Sequence, residues 1–161
     1  MTEPVTVWRL SARRLARTAL SGNGAFRYGG RWNLPGTRVV YCAESRALAA
    51  MESLVHVEDI EDLGAFEWQP TAIALPSAAI ERPSRYPKSW RTYPYSVSTQ
   101  RFGSAWVRSQ RSVALRVPSA IVPGEFNFLI NPAHPDFRRL KVATPVPFRF
   151  DPRFANLGEI I

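Results

Sequence analysis

Apolar residues in this chain gather in short runs, and that limits it to a fold dominated by β-strands. Residues 5–10, 39–43, 71–75 (bounded by Pro70 and Pro76), 112–118, 126–130 and 146–150 each have a strand's length and its β-branched or aromatic content. Helical periodicity shows in three places. One is a short segment over 12–19 whose arginines face solvent, one runs from the N-cap Ser45 to about His56, and one covers about 97–109. Residues 21–36, with glycines at 22, 24, 29, 30 and 36, read as a loop, and the proline- and tyrosine-rich 82–95 as a long surface loop. About six strands and three helices predict the α+β class, as a single domain with a compact, mainly antiparallel β core. Residues 155–161 carry no readable signal, and a packed turn or a disordered tail both fit them.

One side chain conflicts with its place in that pattern. At about 100° per residue, Glu52 falls between Leu48 and Ala49 and beside Val55, on the apolar stripe of its helix. A carboxylate buried without partners costs several kcal/mol, so Glu52 is either paired inside the fold or lines a ligand cleft. Arg31 is one available partner. It follows Gly29-Gly30, where the backbone can approach a ligand closely, and its guanidinium suits two-point contact with a phosphate or pyrophosphate. The competing reading is a glycine-permitted turn with Arg31 on a surface acid. No G-x-G-x-x-G follows a strand and no G-K-[ST] occurs, which removes the Rossmann and P-loop assignments. Tyr41 closes a strand, where its ring either stacks on a planar heterocycle or packs in the core. Cys42 points to the opposite face and reads as a small core residue. His56 flanks the cleft or packs at the helix end; Arg9 is a phosphate contact or a surface ion pair. His134 reads as a structural loop histidine, with a general base as the alternative, and Asn127 and Asn131 as residues that tie loops by side-chain hydrogen bonds, with support of the active site as the alternative.

Composition narrows the function classes. At 161 residues, the chain fits one domain. Its net charge of +8 requires an anionic partner without choosing among nucleic acid, a phosphate-bearing small molecule and an acidic protein. The lone Cys42 excludes an internal disulfide, and two distant histidines give no zinc-ligand spacing, so no metal is expected. No basic segment leads into an apolar run at the start, and no stretch approaches about 18 uncharged apolar residues. A cytoplasmic protein without membrane contact is therefore expected.

Taken together, the motifs resemble those of the RES-domain toxins of bacterial toxin–antitoxin modules. The likeness rests on Trp8-Arg9-Leu10, Gly29-Gly30-Arg31-Trp32-Asn33, Pro35-Gly36, Val40-Tyr41-Cys42-Ala43-Glu44-Ser45 and the segment 49–54. It continues through Leu115-Arg116-Val117-Pro118-Ser119, Val122-Pro123, Asn127 and Asn131-Pro132-Ala133-His134-Pro135-Asp136-Phe137. What the resemblance implies is an ADP-ribosyltransferase-like domain over about 1–154 that consumes NAD+ as substrate, with no other cofactor. It also implies neutralisation by a cognate Xre-type helix-turn-helix antitoxin that makes any DNA contact, and a homodimer within a larger complex. By the same resemblance Glu52, Arg31 and Tyr41 form the catalytic set, with Ser119 as a further substrate-binding group. Cleaving the nicotinamide–ribose bond builds positive charge on the ribose C1′, which calls for a nearby anion and a stacking surface. Glu52 would hold a ribose hydroxyl and stabilise that charge, Tyr41 would stack on nicotinamide, Arg31 would bind the phosphates and Ser119 would complete the hydrogen bonds. Water, phosphate or a protein side chain would serve equally as acceptor. The rivals are an RNA-directed toxin or RNA-binding module using the basic surface, and a non-enzymatic interaction module.

Overall fold

Val7, Ile73 and Leu75, at alternate positions on one face of two strands, are fully buried and set the centre of the sheet. In the computed structural model, which describes residues 2–56, 62–65 and 67–159, β1 (Val5–Ala12) lies antiparallel to β3 (Trp68–Leu75) over its whole length, Val5 facing Leu75 and Ala12 facing Trp68. Pro70 is tolerated inside β3 because its missing N–H lies on the side away from β1, where its carbonyl accepts from Val146 N. On the far side of β1, β2 (Val40–Ala43) pairs with β6 (Phe126–Ile130), which pairs with β5 (Ala114–Pro118). Two-residue strands close the edges: β4 (Ile80–Glu81), parallel to β5, and β7 (Lys141–Val142) beside β3. Among the described residues this gives one mixed sheet in the order β4-β5-β6-β2-β1-β3-β7.

Alternation along the strands sends side chains to two cores. One face buries Val7, Val40, Cys42, Ile73, Phe128 and Ile130, covered in part by Leu20, Phe137 and Leu140. The other is covered by helices. α2 (Arg46–Leu54) begins where Ser45 Oγ accepts from Leu48 N at 3.0 Å, and it buries Leu48 and Ala49 against Leu10 and Ala43. α4 (Val97–Ser109) is capped by Ser96 and packs Trp106 with Trp32, Leu115 and Leu129. Gly103 lets α4 approach this closely: a Cβ there would sit 1.7 Å from the Trp32 carbonyl oxygen.

Between β1 and β2 the ladder is almost absent. Trp8 and Ala43 are the one paired position, so the second half of β1 and the first half of β2 diverge. That split opens the cavity described below.

The α+β class, the single mainly antiparallel sheet, the Ser45 cap, and the elements at 97–109 and 126–130 match the sequence reading. Several local expectations are corrected. Residues 21–36 are not all loop, because α1 (Asn23–Tyr28) forms after Gly22, which takes φ 73°. With the single turn α3 (Asp62–Ala65), the described helices number four. The segment at 12–19 is a 3₁₀ helix, Arg13–Thr18, since β1 runs on to Ala12. Residues 146–150 form an isolated bridge, Trp68 to Phe148, rather than a strand, and Pro147 removes one donor there. Pro152–Glu159 is also 3₁₀, and its Phe154 packs edge-on against Phe150. Residues 57–62, whose acidic composition reads as a turn in the sequence, lie outside the described residues except for Asp62.

Gly103→Val should destabilise the fold by about 3 kcal/mol or more, because neither the Trp32 backbone nor the helix can yield the missing space. Gly24→Ala, whose Cβ meets nothing within 4 Å in α1, should be neutral or stabilise by up to about 1 kcal/mol. Urea denaturation of both variants decides the comparison.

Burial pushes the Cys42 thiol up from 9.0 to about 12, with Arg9 opposing the shift. Its neutral form is favoured in the folded state, so this contribution to stability is complete below pH 9.0 and is lost as pH rises toward about 12. Iodoacetamide at pH 8 should leave the native protein unmodified and alkylate it promptly in denaturant.

Candidate active site

Glu52 lies one turn beyond the buried pair Leu48 and Ala49 on α2, which packs against β1 and β2. Asn127 on β6 faces Ala43, so its side chain rises toward the same helix. Glu52 Oε1 accepts from Asn127 Nδ2 at 2.6 Å and from Ser119 Oγ at 2.7 Å. Ser119 Oγ itself accepts from Ile121 N and Val122 N, which directs its one hydrogen at the carboxylate. Both bonds to Glu52 are charge-assisted, yet neither donor is charged. Among the described residues Glu52 takes part in no ion pair, and its Oε2 accepts no hydrogen bond. The Asn127 Oδ1 atom is buried with no partner, an acceptor beside the carboxylate. Asn127 thus takes the alternative role, tying a strand to Glu52 rather than loops to each other, and one expectation is corrected: Val55, 60% exposed, is not part of the buried stripe.

Arg31 is not Glu52's partner. Its Nη1 donates to the carbonyls of Trp90 and Thr92 at 2.8 and 2.9 Å, and its guanidinium lies 5.0 Å from the centre of the Tyr95 ring. Nε and Nη2 make no hydrogen bond among the described residues, which leaves one edge of the guanidinium open. The loop carrying it is fixed by Asn33, fully buried, whose amide donates to the carbonyls of Ala25, Leu34 and Thr37. Tyr41 completes the lock. Its hydroxyl donates to Asn33 Oδ1 at 2.6 Å and accepts from Trp32 N at 3.1 Å. A Cβ on Gly30 would lie 2.6 Å from that hydroxyl, so glycine is required there for space. Burial pushes the Tyr41 phenol far above its ordinary value, with the Trp32 N–H opposing it. The tyrosine therefore acts as a neutral hydrogen-bonding group.

The split between β1 and β2 holds a cavity of about 630 Å³ lined by Arg9, Arg14, Arg27, Tyr41, His56 and Trp68, among others. Its size suits a nucleotide-sized ligand. Arg9 bridges the split, donating from Nη1 to the Tyr41 carbonyl at 3.1 Å, while its buried Nε has no partner. It is not the surface ion pair weighed above. Glu52 and Arg31 do not line this cavity, whereas Tyr41 and His56 do.

The remaining candidates are structural. Asn131 ties Val107 O to Ala133 N, and the His134 ring accepts from Asp136 N and contacts Gln110 O. Three residues matter more here than their sequence context suggests. Asn33 and Asn127 each had a signal: a carboxamide inside a glycine-rich turn, and a polar residue on the same face as Leu129 in an apolar strand. Tyr95 had none, because 64 residues separate it from Arg31 and its placement is purely tertiary.

Comparison with known proteins gives a consistent result. The RES domain model matches residues 6–151. A protein of Yersinia enterocolitica named Toxin Res is 38% identical over 148 residues, covering 91% of this chain and 97% of that protein. The Prs ADP-ribosylating toxin of a Sphingobium species is 42% identical over 151 residues, covering 91% of this chain and 94% of its own length. In the crystal structure of the M. tuberculosis MbcT–MbcA toxin–antitoxin complex, one chain superposes with a TM-score of 0.65 at 20% identity, covering 91% of this chain and 85% of that one. That likeness carries the fold. With the family model spanning nearly the whole chain and the Yersinia and Sphingobium relatives above the level at which family is in question, the chain belongs to the RES-domain family.

Proposed function

We propose that this protein cleaves the nicotinamide–ribose bond of NAD+. The observation that carries the reading is Glu52: a carboxylate oriented by two neutral donors, with one oxygen open and no cation paired to it among the described residues. As nicotinamide departs, positive charge grows on the ribose C1′, and an uncompensated anion fixed in place stabilises that charge more in the transition state than in the ground state. A ribose hydroxyl donated to Glu52 Oε2, or to the unpartnered Asn127 Oδ1, would align the sugar. The open edge of Arg31 suits a phosphate oxygen pair of the dinucleotide. Tyr41, its hydroxyl committed to Asn33 and Trp32, offers nicotinamide its ring alone. Ser119 orients Glu52 rather than touching substrate.

The acceptor is water, inorganic phosphate or a protein side chain, since each route passes through the same bond cleavage; the name of the Sphingobium relative keeps the last in view. In the cell the reaction depletes NAD+, which makes the protein a toxin. A cognate Xre-type antitoxin would hold it in check, within a cytoplasmic complex built on a toxin homodimer. A toxin–antitoxin complex as structural neighbour supports the partnership. No described helix is long and apolar enough to cross a membrane.

Incubating the purified protein with NAD+, with and without phosphate, and identifying the ADP-ribosyl product by mass tests the reading directly. Release of nicotinamide is expected, with the product assigning the acceptor; intact NAD+ after prolonged incubation would refute it. Glu52→Gln keeps an acceptor for Ser119 and Asn127 but removes the charge, so kcat should fall by about 10²-fold or more at unchanged thermal midpoint. Full activity in that variant would exclude Glu52 as the stabilising anion.

Asn127→Ala removes one of the two donors that aim Glu52. A kcat lower by about tenfold with KM changed less than about threefold is expected from steady-state kinetics.

A further inference from the structure

Residues 82–96 are a strap rather than a surface loop. Tyr86 donates its hydroxyl to Arg116 O at 2.8 Å and sets its ring edge-on to Trp32, 5.7 Å away. Trp90 stacks on the same Trp32 at 6.3 Å, and Ser89 Oγ bonds the α4 cap Ser96 at 2.8 Å. Both ends being anchored, the strap's carbonyls at 90 and 92 hold one nitrogen of Arg31. Tyr95 then comes to lie against the guanidinium at 5.0 Å, with Tyr93 edge-on to it at 5.5 Å.

Arg31, Tyr41 and Glu52 make no direct contact with one another among the described hydrogen bonds and ion pairs. Tyr95 lies against the first of these and within electrostatic reach of the other two. Burial raises its phenol, Arg31 opposes the rise, and Tyr93 and Glu52 add to it; Tyr41 in turn senses Tyr95 and Arg31. The Tyr95 hydroxyl makes no hydrogen bond among the described residues, and the residue is only half-buried. A rigid aromatic ring with an uncommitted hydroxyl, seated on a guanidinium and within electrostatic reach of a carboxylate, is suited to meet a ligand that spans both.

We propose that Tyr95 is a substrate-binding residue of this site: its ring holds the Arg31 guanidinium in place and its hydroxyl contacts the ribose–nicotinamide half of the dinucleotide lying between Arg31 and Glu52. The assignment rests on the NAD+ reading above. It divides the site's two tyrosines by role. Tyr41 fixes the loop from inside with a doubly bonded hydroxyl, and Tyr95 meets the ligand from the strap. It also makes the strap, rather than the glycine-rich loop alone, responsible for where Arg31 points.

Steady-state kinetics with NAD+, together with calorimetric NAD+ binding and a thermal midpoint for each protein, test this on the full chain. Tyr95→Phe keeps the ring over Arg31 and loses the hydroxyl, so kcat/KM should fall about tenfold. Tyr95→Leu removes the ring as well, and KM and the dissociation constant should rise at least about a further threefold while the thermal midpoint stays within a few degrees. Rescue of the Leu defect in KM by Phe, with the hydroxyl-dependent loss remaining, is the pattern that supports both parts of the role. If both variants stay within about twofold of the parent while Glu52→Gln is inactive, the assignment of Tyr95 is overturned and the NAD+ reading stands. A parent protein that neither binds nor cleaves NAD+ would overturn both.

Discussion

The Tyr41 hydroxyl is the point on which the site depends. It donates to Asn33 and accepts from Trp32 N, and Asn33 gathers three backbone carbonyls around itself. That set of bonds closes residues 25–37 over the end of β2 and leaves Trp32 with nowhere to go but inward. Trp32 then receives α4 at Gly103, Trp90 and Tyr86 from the strap, and Phe102 from the helix itself. An unmet buried hydroxyl or carboxamide costs about 1–3 kcal/mol, so the network is favourable only when complete. Arg31, between Gly30 and Trp32, inherits its position from both sides of this arrangement.

The regular parts of the fold were legible because local pattern and tertiary demand agree. The run 126–130 alternates and is a strand; Ser45 precedes an apolar helical stripe and caps it; 97–109 has helical spacing and Ser96 before it. Where they disagree the sequence misleads. α1 has six residues, starts after a left-handed glycine and buries none of its side chains, so neither periodicity nor a capping side chain announces it. Residues 146–150 carry strand-like alternation, but the edge they approach is already shared with β7, and one bridge is all that forms. The candidate site divides along the same line. Glu52 stood out because a carboxylate among apolar neighbours violates a local rule, whereas Tyr95 breaks none and acquires its role from the path of the strap.

Two groups of arginines differ in what holds them. Arg13, Arg111, Arg139 and Arg153 each meet an acid at the exposed surface, where such pairs contribute little to stability. Arg9 and Arg31 behave differently. They are held by backbone carbonyls instead of carboxylates, and each keeps guanidinium N–H groups without a partner among the described residues. A carbonyl orients a guanidinium without neutralising it, so both retain their attraction for an anion. The net charge of +8 therefore says less about the ligand than these two side chains do.

The same reasoning explains why Glu52 and Arg31 are kept apart. Had the glycine-rich loop delivered Arg31 to the carboxylate, the pair would have satisfied burial for both and cancelled the charge that each can offer a ligand. Neutral groups satisfy them instead. Ser119 and Asn127 orient the acid, and the carbonyls of Trp90 and Thr92 hold the arginine. For the proposed cleavage this separation matters more than any single contact. A carboxylate already paired with a guanidinium would stabilise ground state and transition state almost alike, while one fixed by neutral donors gains most of its interaction as charge appears on the sugar. The strap is thus part of the electrostatics of the site, because by holding Arg31 it keeps that guanidinium from pairing with Glu52.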